Sequence, residues 1–142
     1  MAKLREKVHA EYEQIENLLN EMPGPEKLPY LSFLELAGVA TLLHNFYNGV
    51  ENILKQCLYA ENIPVPSGNS WHKDLLVTSV ENSILSQDTI LRLGEYLAFR
   101  HFFVHAYALD LYADKMESLV KNVKVVFGEF QQEINAFLQK YS

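Results

Sequence analysis

An all-α fold is what this sequence predicts, on three observations. Apolar residues recur at three- and four-residue intervals along most of the chain, the spacing that lines one face of a helix. The interruptions are few and rich in proline, glycine and polar residues: "PGPEKLP" at positions 23–29 and "IPVPSGNS" at 63–70. No segment alternates apolar and polar residues as a half-buried strand would. "VKVVF", from Val123 to Phe127, is β-branched but falls inside a strong helical period.

Five helical segments follow in order. The first covers about 3–21, where Leu4, Val8, Ile15, Leu18, Leu19 and Met22 share one side. The proline-rich stretch at 23–29 stops it and makes a stiff turn. Ser32 caps the second, and Glu35 three residues later completes a capping box. That helix runs to about 61 and is nearly apolar all round until Leu43. Ser70 caps a short third helix over 71–82. Ser86 or Asp88 caps a fourth that reaches about 109. Asp110 or Asp114 opens the last, striped by Leu119, Val123, Val126, Phe130, Ile134, Phe137 and Tyr141. There are no internal repeats, and residues 1–142 read as one domain.

Composition narrows the function classes. With 142 residues and 49% hydrophobic content, the chain can bury a real core. A net charge of -6 argues against a protein that simply coats nucleic acid. Contact with nucleic acid would have to come from a local basic site. Cys57 is the only cysteine, so neither an intrachain disulfide nor a cysteine-rich metal framework is available. The amino-terminal segment lacks the apolar region of a secretory signal, and no apolar run approaches the roughly 20 residues that cross a bilayer. The expectation is a cytoplasmic protein with no membrane contact.

Phosphate-binding loops, HExxH, CxxC and GxSxG are all absent, so polar chemistry concentrates in two segments. One is "FRHFFVHAY", from Phe99 to Tyr107. On a straight helix Arg100 and Tyr107 lie on nearly the same face, ~10 Å apart along the axis, while Arg100 and His105 diverge by ~140°. A shared substrate then needs a helix distortion or a second copy of the chain. Arginine's planar fork suits a phosphate, and histidine suits proton transfer near neutral pH. Together they supply what phosphodiester cleavage by a 2′-hydroxyl requires.

Blander readings stand beside this one. A histidine among aromatics is more often a packed core residue than a catalyst. His101 and His105 stand at a metal-compatible spacing, but without a third ligand no metal is expected. Tyr107 taken alone reads as a core ring with its hydroxyl at the surface. Arg100 is the least bland, because a charge flanked by Phe99 and Phe102 needs a partner or a wet cleft.

In the other segment, His44, Asn48 and Glu51 share a helix face. That face is either ordinary solvated surface or lies beside Arg100, with Glu51 orienting the guanidinium or ion-pairing with it. Trp71 reads as a core anchor, and His72 as a surface or first-turn residue.

Arg100, four residues, His105, one residue and Tyr107 together resemble the RX4HXY form of the motif that marks HepT-like toxins of the HEPN superfamily. "LHNFYNGVENIL", "SGNSWHKDLL" and "YLAFRHFFVHAY" resemble, in order, the recurrent blocks of such chains. The resemblance implies an up-and-down HEPN-type bundle that pairs as a homodimer, its two motifs facing one cleft. It implies the toxin of a type VII-like HEPN–MNT toxin–antitoxin pair, a metal-independent endoribonuclease with Arg100 and His105 as catalytic pair and no cofactor. Its partners would be RNA and a cognate MNT nucleotidyltransferase antitoxin that silences the toxin by transferring AMP to Tyr107. His101, Asn48 and Glu51 are possible supporting residues outside the motif. Two other readings stay open: a non-catalytic helical module binding a nucleotidyltransferase or a nucleotide, and a metal-binding bundle using His101 and His105.

Overall fold

The computed structural model describes residues 2–105 and 113–141, with backbone alone at Ala2, Val104 and His105. Five α-helices carry the described residues: α1 Ala2–Asn20, α2 Phe33–Ala60, α3 Trp71–Glu81, α4 Gln87–His105 and α5 Ala113–Leu138. No strand occurs among them. This is the all-α, HEPN-type bundle that periodicity and resemblance predict. The expected end of the fourth helix near 109 and the alternative start at Asp110 lie outside the described residues. Asp114 sits in the first turn of α5.

The predicted boundaries hold for physical reasons that the side chains make visible. Ser32 accepts from the Glu35 amide while the Glu35 carboxylate accepts from the Ser32 amide, so the capping box at α2 is complete. Ser86 caps α4, its hydroxyl accepting from the Thr89 amide at 3.2 Å. Ser70 departs from expectation: it precedes α3, but its hydroxyl donates to Asp74 at 3.2 Å and makes no capping bond. The stiff turn at 23–29 is also more ordered than foreseen. Pro25–Tyr30 winds as a 3-10 helix, with proline at its start where a missing N–H is harmless, and it plants Leu28 fully in the core.

The second helix is the axis of the molecule. Its later turns are buried on most sides through Phe46, Tyr47, Val50, Ile53, Leu54, Cys57 and Leu58. Fully burying each large apolar side chain contributes roughly 1.5–3 kcal/mol. Phe46 meets Tyr96 of α4 edge-on at 5.2 Å and Phe127 of α5 at 6.1 Å, and Phe127 meets Tyr12 of α1 at 5.9 Å. These four rings join four helices. Polar ties fix the angles: Tyr12 donates to Asn135 at 2.9 Å, Tyr96 to the Leu119 carbonyl at 2.8 Å, and Arg5 to the Leu138 carbonyl at 2.7 Å. One face of α2 is thereby held against α4, which carries Arg100. Its neighbouring face meets α3.

Candidate functional site

The α2–α4 contact brings two of the predicted residues together. Arg100, half-buried on α4, donates through Nε to Oδ1 of Asn48 at 3.3 Å. Its neighbour Phe99 is buried, while Phe102 keeps partial access. The guanidinium thus has a neutral amide as its hydrogen-bond partner. Among the described residues no carboxylate forms an ion pair with it.

His44, one turn before Asn48, belongs to the same site. Its ring lies 5.3 Å from that of Phe103, and its Nδ1 is buried without a hydrogen-bond partner among the described residues. Burial, then the nearby Arg100 charge, pulls its pKa below the ordinary histidine value. His44 is therefore held toward its neutral form beside a cation.

Glu51 departs from expectation. It neither orients Arg100 nor ion-pairs with it; it turns to α3. There its Oε2 lies 2.7 Å from Nδ1 of His72, and Glu51 is only 3% exposed. The reason is helical geometry: three residues past Asn48 is ~60° short of a full turn, enough to face the neighbouring helix. A carboxylate accepts, so the tautomer of His72 with its proton on Nδ1 is the one that completes this bond. His72 is thus more than a residue of the first turn. It satisfies a carboxylate that would be costly to bury alone.

Trp71 is partly buried against the core, as an anchor should be. Its ring lies 3.6 Å from His72, and Lys55 sits 4.3 Å over it. Between the two polar pairs stands Tyr47, completely buried. Its hydroxyl lies by Glu51 but makes no hydrogen bond of ordinary geometry. Burial first, then the Glu51 charge, pushes its pKa far up.

His101 follows Arg100 but is exposed on α4. The α4 backbone reaches His105; the His105 side chain and Tyr107 lie outside the described residues. No three of the described histidine, cysteine, aspartate or glutamate residues converge to hold a metal ion. None of the described helices is long and apolar enough to cross a membrane. Sequence reasoning missed the role of His72 and the position of Tyr47. Spacing could not have found the first, because its partner lies 21 residues away across a loop.

A family model described as HepT-like protein matches residues 38–141. The span contains Arg100, Asn48, Glu51, His72 and the whole Arg100–Tyr107 motif. No curated protein and no solved structure matches the chain.

Proposed function

The chain belongs to the HepT-like family, and from that premise we propose that it is a metal-independent endoribonuclease, the toxin of a type VII-like HEPN–MNT pair. The observation that carries this reading is the state of Arg100. A half-buried guanidinium held by a neutral amide, with no described carboxylate to neutralise it, keeps its charge for a phosphate.

In the proposed reaction His105 takes the proton from a ribose 2′-hydroxyl. The freed oxygen attacks the adjacent phosphorus, and Arg100 stabilises the charge that builds on the phosphorane oxygens. The bond to the 5′ oxygen breaks, and that oxygen leaves as a hydroxyl by taking a proton from water, to which His105 returns the one it accepted. The products end in a 2′,3′-cyclic phosphate and a 5′-hydroxyl. Because His105 and Arg100 diverge on one helix, a homodimer would supply each cleft with groups from both copies. AMP transferred to Tyr107 by a nucleotidyltransferase would add a phosphate seven residues along the chain from Arg100, where it would compete with the substrate's phosphate.

The net charge of -6 favours one rival, a non-catalytic module that binds a nucleotidyltransferase or a nucleotide. RNA cleavage by unmodified protein in EDTA, beside His105→Ala, separates the two. Cleavage that leaves cyclic phosphate ends and vanishes in the variant supports the ribonuclease. Absence of cleavage, from protein whose mass shows Tyr107 free, supports the binding module.

A further inference from the structure

Asn48 faces two ways. Besides accepting from Arg100, it lines a groove of about 330 Å³ between α1 and α2, with Glu11, Gln14, Asn45 and Asn52. A second hollow of about 150 Å³ lies farther along the same seam, between Lys3 and Lys7 on α1 and Gln56 and Tyr59 on α2. The lining positions show that both open on one side. On α2 they are 45, 48, 49, 52, 56, 59 and 60; on α1 they are 3, 4, 7, 11, 14, 15 and 18. Steps of three and four keep each set on a single helix face. Gly49 lets the helices close here, since a Cβ in its place would meet Ile15 Cγ1 at 2.7 Å.

The chemistry changes along this seam. Beside the first hollow, joined to it through Asn48, stands the Arg100 guanidinium. In the middle, side-chain amides rim a floor made by buried Ile15 and half-buried Leu18. Glu11 lies among them, within 3.4 Å of the Asn52 amide. A carboxylate there repels phosphate but accepts from the exocyclic amino group of a base. At the far end Tyr59 is 59% exposed beside two exposed lysines. An exposed ring next to cations is the pairing that holds a single-stranded base and its phosphate. From Asn48 to Tyr59 the rise along α2 is roughly 16 Å, the span of a few nucleotides.

We propose that the α1–α2 seam is a binding track for the single-stranded RNA that flanks the scissile phosphate. Tyr59 stacks one base, Lys3 and Lys7 hold backbone phosphate, and Asn45 and Asn52 read a base whose amino group faces Glu11. The track favours adenosine over uridine, which has no exocyclic amino group. Identifying its ligand as RNA rests on the proposed ribonuclease reading of the Arg100 site.

The test is fluorescence anisotropy with labelled single-stranded oligo-adenosine and oligo-uridine over a salt series. It uses the full chain carrying His105→Ala, so that the RNA survives. Lys3→Ala with Lys7→Ala should lower the slope of log affinity against log salt by about 1.4, or about 0.7 for each phosphate no longer neutralised. Tyr59→Ala should weaken binding about tenfold. Oligo-adenosine should bind about tenfold tighter than oligo-uridine, and Glu11→Ala, which removes the acceptor for the amino group, should erase that difference.

Lys121→Ala with Lys124→Ala, the same charge change at exposed positions of α5, should leave the slope unchanged. Equal effects of the two lysine pairs, or no effect of Tyr59→Ala, would overturn the track. Cleavage by the unsubstituted chain alongside such a result would leave the ribonuclease reading standing. Binding that depends on Lys3, Lys7 and Tyr59 without any cleavage would support the track and overturn the ribonuclease. RNA that binds nowhere would overturn both.

Discussion

Glu51 and His72 meet at 2.7 Å across the α2–α3 contact, and the carboxylate is almost sealed from water. This pair fastens α3 to the helix that also presents Asn48 to Arg100. Its strength follows from burial: hydrogen bonds to charged groups contribute about 1.5–3 kcal/mol, and an orphaned partner adds its desolvation penalty. Glu51→Ala is therefore expected to destabilise the fold by about 2–4 kcal/mol, and Glu51→Gln, which can still accept from Nδ1, by less. Urea unfolding measures both. Equal midpoints for the parent and Glu51→Ala would mean the pair contributes nothing to folding.

Tyr47 offers the opposite sign. Its hydroxyl is buried without a well-formed hydrogen bond, and an unsatisfied buried hydroxyl costs about 1–3 kcal/mol. Tyr47→Phe removes the polar atom and keeps the ring. The variant should unfold at the same urea concentration as the parent or a higher one. A clear loss of stability would show that the hydroxyl is bonded, with Glu51 as the acceptor.

The site should also register in the pH dependence of folding. His44 has a folded pKa below the ordinary 6.5. As pH falls through that value, the unfolded chain takes up a proton that the folded chain resists. The unfolded state then binds more protons, so stability drops as pH falls, until the lowered folded value is passed. Below it the loss stays constant. Thermal melts on either side of 6.5 should show the decline, and His44→Phe should make it shallower. A slope unchanged by that substitution would assign the dependence to other groups.

Activity should be more sensitive than stability at Arg100. Lysine keeps the charge but lacks the planar fork and the Nε donor that Asn48 accepts. If the guanidinium stabilises a phosphorane, Arg100→Lys should lower kcat about a hundredfold, the scale of losing one preorganised donor, with the melting midpoint little changed. Full cleavage by Arg100→Lys would reduce the role of Arg100 to charge alone.

What the sequence made legible follows the physics of each feature. The helices were readable because each buries a stripe at its own local period, as Leu119, Val123, Val126, Phe130 and Ile134 do in α5. The Ser32–Glu35 box was readable because both partners lie within one turn. The Asn48–Arg100 contact could be anticipated as a pairing of faces. The Glu51–His72 bond could not, since it depends on how the loop at 61–70 returns α3 to α2. The 3-10 winding of Pro25–Tyr30 stayed hidden for a related reason: prolines mark a turn without saying whether Leu28 reaches the core.

Glu133 shows how a tertiary contact completes a cap that the sequence only half displays. From α5 its Oε1 accepts the Ser86 amide at 2.7 Å, and its Oε2 accepts the Ser86 hydroxyl at 2.9 Å and the Thr89 hydroxyl at 2.7 Å. A carboxylate at the N-terminus of α4 also opposes the positive end of the helix dipole. Thr89 is 2% exposed, so water cannot replace its partner. Glu133→Ala should therefore cost about 2 kcal/mol, whereas Glu133→Gln should cost less, because its amide oxygen still accepts. Amide hydrogen exchange locates the effect: protection should fall first in the opening turn of α4, at Thr89 and Ile90. A loss of protection spread evenly over all five helices would show that Glu133 supports the bundle as a whole rather than the start of α4.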